Sequence, residues 1–357
     1  MKYALIGCGR VAANHLRAAY ENGLEIAAVC DIAADHIDGL FARAPYLEAP
    51  GAIRRYADYN ELFEKERPEL VSVALPSGLH AACAMRAVEQ GCNVIVEKPV
   101  ALSLADADAL IALAEKRGVK VCACHQNRFN AAVLEMRSYI ERGCFGKLSH
   151  GAVTVRWSRG RDYYASDDWR GRLDMDGGAL MNQSIHGIDL LRWMCGGKLQ
   201  TVYGCTRRAF HPYIEAEDLG MAVLTFKNGC VATVEGTVNL YGHNLEEHLM
   251  LVGETGAMKL GGTSANTVAY RCFEAEGAPV EDGLVEHTPN VYGNGHTPLF
   301  ADMIDAVKND RPPFVTAQDG RDALETVLAI YLSAKTGQPV KLPLTDVACA
   351  DFAGLFD

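Results

Sequence analysis

Short apolar runs alternate with amphipathic segments over the first 125 residues of the chain. Each run is typical of a strand buried on both faces, and each intervening segment repeats its apolar residues at helical spacing. The runs are YALI (3–6), LEIAAVCD (24–31), ELVSVALPS (69–77), NVIVEKP (93–99) and VKVCACH (119–125). The helical segments include VAANHLRAAYENG (11–23), GLHAACAMRAVEQG (78–91) and LADADALIALAEKRG (104–118). Strands and helices that take turns predict an α/β fold with a parallel sheet and crossover helices.

The pattern changes from about residue 145, where apolar and polar residues alternate one by one, as on a half-exposed strand. Asn228-Gly229 lies between two such runs and predicts a hairpin with a two-residue turn. The strand-like stretches are KLSHGAVTVRW (147–157), MAVLTFKNGCVATVEGTVN (221–239) and EHLMLVGETGAMKLGG (247–262). The helix-like stretches are GALMNQSIHGIDLLRWMCGG (178–197), HTPLFADMIDAVKND (296–310) and AQDGRDALETVLAIYLSAKTG (317–337). We therefore expect an α+β domain whose largely antiparallel sheet has one open face.

A chain of 357 residues suits two domains better than one. Its net charge of -11 argues against nucleic acid and acidic membrane surfaces as partners. No apolar run approaches the ~20 residues of a membrane-spanning helix, and the N-terminus lacks the features of a secretory signal. The twelve cysteines are scattered without a CxxC pair or zinc-like spacing. We expect no metal and a cytoplasmic protein with buried free thiols, with redox or metal chemistry at Cys122 and Cys124 as the alternative.

A glycine-rich turn follows the first predicted strand. Gly7, Gly9 and Ala12 form the pattern G-x-G-x-x-A, and a helix starts directly after it. Gly7 allows the tight turn, and Gly9 lets a pyrophosphate approach the backbone at the positive helix end, so we assign Arg10 and Val11 to the same cofactor site. The second strand ends in Asp31, at the spacing where a carboxylate binds a ribose 2′-hydroxyl and repels a 2′-phosphate. This predicts NAD rather than NADP, with a helix-capping role for Asp31 as the alternative.

Polar residues also follow two later strands of the predicted parallel sheet. Glu97, Lys98 and Pro99 stand at the end of NVIV, and ligands of such sheets lie beyond the carboxyl ends of the strands. We therefore place Glu97 and Lys98 at the nicotinamide. The cofactor site is also predicted to include three residues that follow the preceding strand: Pro76, Ser77 and His80.

The helix at 178–197 carries the second group of candidate residues. Asn182 and His186 are four residues apart, which places them on one face of an α-helix. Oxidation of an alcohol needs a group that takes the hydroxyl proton as hydride leaves, and histidine titrates near neutral pH. Lys98 could bond the hydroxyl and favour its alkoxide. A purely structural histidine is the alternative.

The glycine-rich turn, Asp31, the EKP tripeptide and IHGIDLL together resemble the Gfo/Idh/MocA oxidoreductase family over essentially the whole chain. The resemblance implies a Rossmann domain at 1–122, an open-faced α+β domain at 123–357 for substrate binding and oligomerisation, and Lys98 and His186 in catalysis. It also implies a homo-oligomer, dimer or tetramer, formed through the second sheet. Inositol and simple-sugar dehydrogenases of this family carry aspartate where this chain has Asn182. An aspartate-assisted relay is therefore in doubt.

The loop before the helix combines arginines with aromatic residues, a pairing suited to a carboxylate or phosphate beside a sugar or base. It and HQNRFN (125–130) resemble the UDP-N-acetyl-2-amino-2-deoxyglucuronate dehydrogenase subgroup. This resemblance implies oxidation at C3 of a UDP-linked N-acetylglucosaminuronate, in surface-polysaccharide assembly. The predicted substrate-binding residues are Arg128, Arg161, Tyr163, Trp169, Arg170, Asn182, Gln183 and His186. The alternatives are a dehydrogenase of another polyol or UDP-sugar, a non-catalytic NAD(H)-binding sensor, and a merely solvated loop.

Overall fold

The computed structural model describes residues 1–196, 198–281, 283–288 and 291–356. Gly197, the last residue of the helix-like stretch predicted at 178–197, lies outside the described residues. The described chain divides into two compact units. The first unit comprises residues 1–101, 106–125 and 296–321. The second comprises residues 102–105, 126–295 and 322–356.

The predicted strands and helices appear in the predicted order, among further strands and helices that were not predicted. The strands are β1 Lys2–Ile6, β2 Glu25–Cys30, β3 Arg54–Tyr56, β4 Leu70–Val73, β5 Asn93–Val96, β6 Val121–Ala123, β7 Leu148–Arg156, β8 Leu199–Arg207, β9 Leu219–Phe226, β10 Val231–Thr237, β11 Glu246–Gly253, β12 Gly256–Gly261, β13 Thr267–Phe273, β14 Val280–Glu281 and β15 Val340–Lys341. The α-helices are α1 Ala12–Glu21, α2 Ala34–Ala42, α3 Tyr59–Glu66, α4 His80–Glu89, α5 Leu104–Arg117, α6 Ala131–Glu141, α7 Arg161–Ala165, α8 Ile185–Met194, α9 His296–Lys308 and α10 Ala317–Thr336. None of these helices is both long enough and apolar enough to cross a membrane.

The first unit is built on a six-stranded sheet of order β3-β2-β1-β4-β5-β6, in which all neighbours are parallel. The four residues of β4 are all buried, as expected for a central strand covered on both faces. The predicted α/β fold is therefore confirmed.

Helix α9 belongs to the first unit, although it follows the second unit's strands in sequence. The ring of Phe300 meets the ring of Tyr3 on β1 edge to face at 5.8 Å. The side-chain amide of Asn22, at the end of α1, donates a 3.0 Å hydrogen bond to the Thr297 carbonyl. The structure thus differs from the continuous domain predicted at 123–357, because the apolar face of α9 covers β1 and α1.

The second unit is built on a nine-stranded sheet of order β14-β13-β12-β11-β7-β10-β9-β8-β15. Its described pairings are antiparallel except for β7 with β10, so the predicted largely antiparallel sheet is confirmed. The predicted hairpin joins β9 to β10, but Phe226 pairs with Cys230, which leaves three residues in the loop. Gly229 takes a φ of +88° there, so the two-residue turn was wrong and the glycine requirement was right.

Helix α8 lies against the second sheet at unusually close range. A Cβ atom on Gly187 would come within 2.8 Å of Val153 on β7. Alternate residues of β8 and β9, including Tyr203 and Val223, are instead exposed to solvent. Close packing through Gly187 fixes the position of its neighbour, His186, relative to the sheet.

Candidate active site

The glycine-rich turn after β1 leaves the start of α1 accessible. Gly7 has a φ of +90°, and a Cβ atom there would lie 2.3 Å from the carbonyl oxygen of Ala74. Gly9 is exposed and has no atom within 4 Å of the position that a Cβ would take. No side chain caps α1 at Val11, and its first turn has no acidic residue. The backbone N–H groups at this helix end are therefore suited to bind a phosphate.

Asp31 joins the turn to the loop after β2. Its carboxylate accepts hydrogen bonds from the backbone N–H of Cys8 at 2.8 Å and of Ala33 at 2.9 Å. Oδ1 also lies 3.2 Å from Nδ1 of exposed His36, so Oδ2, which has Cys8 as its partner, is the oxygen better placed to accept from a ribose hydroxyl. Arg43, which the sequence interpretation did not include, donates a 3.0 Å hydrogen bond to the carbonyl of Gly9. Arg43 was not predicted because it lies far along the chain from the glycine motif, and no sequence pattern links the two.

Glu97, at the end of β5, is buried among polar side chains of the first unit. Its Oε1 accepts a 2.8 Å hydrogen bond from Nε2 of His15 on α1 and lies 3.7 Å from Nε2 of His296. Burial acts to raise the pKa of Glu97, but the hydrogen bond from His15, the neighbouring His296 and the charge of Lys98 hold it well below its usual value. Glu97 is thus an anion with partners on several sides, and Lys98, which follows it, is half-buried.

The EKP loop is tied to the loop after β4 by His80. Its Nδ1 lies 2.7 Å from the carbonyl oxygen of Pro99, and its Nε2 lies 2.7 Å from that of Leu75. Both ring nitrogens are therefore engaged with backbone, and the ring is buried. This geometry does not support the predicted direct contact of His80 with the cofactor. His80 instead holds Pro76 and Ser77 at a fixed distance from the EKP loop.

The helix predicted at 178–197 is not a single α-helix. Residues Ala179–Ser184 form a π-helical segment that leads into α8, and such segments frequently occur at functional sites. Asn182 lies in this segment, so the α-helical four-residue rule does not by itself place it on the face of His186. The Asn182 side-chain amide donates to the carboxylate of Asp176. His186 is the second residue of α8 and is buried.

The arginine loop reaches the π-helical segment through Tyr163. The Tyr163 hydroxyl accepts hydrogen bonds from Nε2 of Gln183 at 2.9 Å and from Nη1 of Arg170 at 2.6 Å. Arg170 also bonds the carboxylate of Asp167 at 2.8 Å. Its guanidinium lies over the rings of Tyr163 and Trp169, at 4.4 and 4.6 Å from their centroids. The structure therefore brings together four residues that were predicted to bind substrate.

Arg159 was not among the residues predicted to bind substrate, and the structure singles it out. Its guanidinium donates to Oε1 of Gln183 at 3.0 Å and to Oδ1 of Asn244 at 2.9 Å. It lies over the rings of Trp157 and Tyr163. Within the described chain, no carboxylate forms an ion pair with it, and burial lowers its pKa. Arg159 is a partly buried cation that has neutral neighbours.

Two other predicted arginines lie elsewhere. Arg128 is fully buried and forms two hydrogen bonds with Asp189 on α8, at 2.7 and 2.6 Å. Because its guanidinium is already paired with that carboxylate, we withdraw Arg128 from the predicted substrate-binding residues. Arg161 is exposed and lies over the ring of Tyr213. Neither position supports the choice of these two arginines over Arg159.

Two family models match the chain. The model described as oxidoreductase family, NAD-binding Rossmann fold, matches residues 1–125. The model described as oxidoreductase family, C-terminal alpha/beta domain, matches residues 137–342. Both belong to the GFO_IDH_MocA group, so the predicted fold, the NAD cofactor and the oxidoreductase class are confirmed.

Solved structures and curated proteins show similar chains. The WlbA dehydrogenase from Bordetella pertussis, in complex with NADH and UDP-GlcNAcA, is 30% identical, with a TM-score of 0.84 and coverage of 96% of this chain and 99% of that one. The WlbA enzyme from Chromobacterium violaceum, with the same two ligands, is 30% identical, with a TM-score of 0.85 and coverage of 97% and 96%. D-apiose dehydrogenase of Paraburkholderia graminis is 26% identical, with coverage of 96% of this chain and 89% of the relative.

Proposed function

Because the chain belongs to the Gfo/Idh/MocA oxidoreductase family, we propose that it oxidises a UDP-N-acetylglucosaminuronate-type sugar at C3. A hydride passes from C3 to the nicotinamide of NAD, and the hydroxyl proton passes to a base on the protein. The product is the 3-keto sugar and NADH. The similarity to two WlbA dehydrogenases that bind UDP-GlcNAcA supports this substrate class.

The observation that carries the proposal is the unneutralised charge of Arg159. A buried cation without a counter-ion is costly, and an anionic ligand removes that cost when it binds. The planar guanidinium matches a carboxylate or phosphate through two parallel hydrogen bonds. The neighbouring Tyr163 and Trp157 offer ring faces beside the charge. A neutral polyol would leave Arg159 uncompensated, whereas a uronate or a diphosphate would not.

Lys98 and His186 assist proton removal in the proposed reaction. The lysine ammonium stabilises negative charge as it develops on the substrate oxygen, and the imidazole accepts the proton near neutral pH. Asp31 accepts hydrogen bonds from the ribose hydroxyls of NAD, and its negative charge repels the 2′-phosphate of NADP. The side-chain amide of Asn182 donates a hydrogen bond to the carboxylate of Asp176. This chain therefore has a carboxylate one hydrogen bond away from the position at which inositol and simple-sugar dehydrogenases of the family carry aspartate.

Homo-oligomerisation through the second sheet remains part of the proposal. The exposed alternate residues of β8 and β9 include Tyr203, Met221 and Val223, which form an apolar stripe on the open face of that sheet. A second copy of the chain that covered this stripe would remove it from water. Sedimentation of the protein and of a Val223→Glu variant would test this arrangement.

The decisive experiment is a panel of sugars with NAD, followed at the nicotinamide absorbance. UDP-N-acetylglucosaminuronate should give NADH, and UDP-N-acetylglucosamine should give a lower kcat/KM because it lacks the carboxylate. NADP should support little turnover. Turnover of D-apiose or inositol with none for the UDP-sugars would overturn the substrate class.

A dehydrogenase of a free sugar is the second candidate. The similarity to D-apiose dehydrogenase over nearly the whole chain favours it. The same panel separates the two candidates, because a free sugar carries neither carboxylate nor phosphate for Arg159.

Catalytic roles are tested by Lys98→Ala and His186→Ala. Each variant should fold normally and lose turnover by about 10²–10⁴, the usual effect of removing a positioned acid or base. Single-turnover hydride transfer and circular dichroism would be measured together. Near-native turnover in either variant would remove that residue from the mechanism.

A further inference from the structure

Four side chains of types that can bind a metal ion meet inside the first unit, although they come from separate parts of the chain. They are His15 on α1, Glu97 after β5, Cys124 after β6 and His296 at the start of α9. One ligand atom from each lies within 4.8 Å of the ligand atoms of the other three. All four residues are buried. This cluster was not predicted from the sequence, because its successive members lie 82, 27 and 172 positions apart.

The charges of the cluster suit a divalent cation. A thiolate at Cys124 and a carboxylate at Glu97 would carry two negative charges, and the two imidazoles are neutral as ligands. A dication bound among them gives a site without net charge, which is the condition for stable burial. The mixture of two nitrogens, one sulfur and one oxygen favours zinc over magnesium or calcium, which prefer oxygen alone.

We propose that His15, Glu97, Cys124 and His296 form a buried zinc site. Four protein ligands fill a tetrahedral shell, so the ion is structural and leaves no position for substrate. Ligand atoms about 2.0–2.3 Å from a tetrahedral zinc lie about 3.3–3.8 Å apart, so the 2.8 Å contact of His15 with Glu97 would open slightly and the widest separations, up to 4.8 Å, would close by about 1 Å. The inference concerns the first unit alone and does not rest on the proposed function.

The surroundings of His15 support this assignment. Nδ1 of His15 lies 3.1 Å from the hydroxyl oxygen of Ser72 on β4. Metal-binding histidines commonly have such a partner on the other ring nitrogen, because it fixes the ring's orientation and tautomer. Zinc would join α1, β5, β6 and α9 at one point. It would thereby attach the late helix α9 to the sheet of the first unit.

The competing interpretation is a network of hydrogen bonds without metal. In it, the Cys124 thiol and the histidines donate to the Glu97 carboxylate. Both interpretations keep Glu97 ionised, so the ionisation state of Glu97 cannot separate them. Metal content and the identity of the atoms around the metal can.

The test uses the full-length, tag-free protein expressed with added zinc and purified without chelators. Elemental analysis should find about one zinc per chain. X-ray absorption at the zinc edge should show one sulfur at about 2.3 Å and three nitrogen or oxygen atoms at about 2.0 Å. Cobalt substitution should give a thiolate-to-cobalt charge-transfer band and the strong visible bands of four-coordinate cobalt.

Cys124→Ser is the informative variant, and Cys122→Ser is its matched control. Cys122 is equally buried on β6, two residues away, and is not part of the cluster. Cys124→Ser should lose most of the zinc and the charge-transfer band, and its thermal midpoint should no longer respond to zinc. Cys122→Ser should keep both properties.

Three results would overturn the zinc site. The first is the absence of zinc from the wild-type protein, even after refolding with zinc present. The second is bound zinc without sulfur in its shell. The third is unchanged zinc content in Cys124→Ser. The first two are measured on the wild-type chain, so a failure of the variant to fold would not leave the question open.

Discussion

Arg128 and Arg159 both place a permanent positive charge inside the second unit, and they differ in what faces that charge. Arg128 is fully buried and meets Asp189 through two hydrogen bonds, with the Trp193 ring on its face. Arg159 is partly buried and meets two side-chain amides, a backbone carbonyl and two rings. The first charge is neutralised by the fold, and the second is not.

This difference separates a structural arginine from a ligand-binding arginine. A buried pair with good geometry has satisfied its desolvation cost within the protein, so it gains nothing from a ligand. A partly buried cation among neutral groups retains that cost until an anion arrives. Sequence type and loop position do not distinguish the two cases, because both residues lie beside aromatic side chains. The identity of the facing atoms distinguishes them.

The largest expected effect comes from breaking the buried ion pair of Arg128 with Asp189. Asp189→Asn leaves the buried Arg128 charge without a carboxylate, and such a loss costs about 3–5 kcal/mol of unfolding free energy. Urea unfolding would measure it. The matched control is Asp167→Asn, which affects the more exposed pair with Arg170 and should cost no more than about 1 kcal/mol. Equal costs in the two variants would show that burial of the Arg128 pair has no special weight.

The next largest effect is expected from removing the positive charge of Arg159, which no carboxylate of the described chain neutralises. Arg159→Gln should leave stability nearly unchanged and raise KM for the UDP-uronate by about 10–100-fold, the range of a charged hydrogen bond of 1.5–3 kcal/mol. Steady-state kinetics and urea unfolding would be measured on the same preparation. Exposed Arg161→Gln is the control and should change KM little.

Comparison of substrates identifies the anion that Arg159 binds. A rise in KM for the uronate alone indicates its carboxylate, and a rise for UDP-N-acetylglucosamine as well indicates the diphosphate. If Arg159→Gln destabilises the protein as strongly as Asp189→Asn and leaves every KM unchanged, Arg159 is a structural residue. The contrast between the two arginines would then fail.

The effect that is smallest over a single pH unit concerns a third way in which the protein accommodates a buried charge, which is to take up a proton. Glu247 on β11 is buried, and burial raises its pKa to about 8 despite the nearby Asn127. The folded state then holds a proton that the unfolded state releases, so stability falls as pH rises from the ordinary value of 4.5 to about 8. Below and above that window, Glu247 adds no slope.

Glu247→Gln should flatten this dependence by up to about 1.4 kcal/mol per pH unit. Urea unfolding across the window would measure the slope, with exposed Glu254→Gln as the control. Glu217, whose pKa burial also raises to about 8, keeps part of the slope in both variants. An unchanged slope in Glu247→Gln would mean that the buried carboxyl is ionised in the folded state.

Local patterns predicted much of the fold. The apolar runs predicted five of the six parallel strands. Glycine is required at position 7 because a Cβ atom there would clash with the carbonyl of Ala74. Strand β3 was missed because Arg54–Tyr56 is short and largely polar. The membership of α9 in the first unit was missed as well. The apolar face of α9 indicates that the helix packs against another element, but the local sequence does not identify that element.

Within the candidate site, sequence identified side chains better than their partners. Tyr163, Arg170 and Gln183 do lie together, since motif and loop are adjacent in the chain. Arg128 was misassigned because its partner Asp189 is distant in sequence. The π-helical segment was not predictable from periodicity, because its six residues are too few to establish a different repeat. Long-range pairing is the information that a single sequence does not display.

Helix α9 also affects how the protein is made. Residues 1–125 leave the ribosome about 170 residues before His296, so the nascent first unit lacks the ring of Phe300 against Tyr3. Domains usually fold in the order of synthesis, but this one stays incomplete until the second sheet has been translated. Its uncovered apolar face is meanwhile exposed to chaperones and to aggregation. A gene fragment that ends at residue 125 makes this temporary state permanent, and soluble expression of the unit alone requires α9 to be fused back.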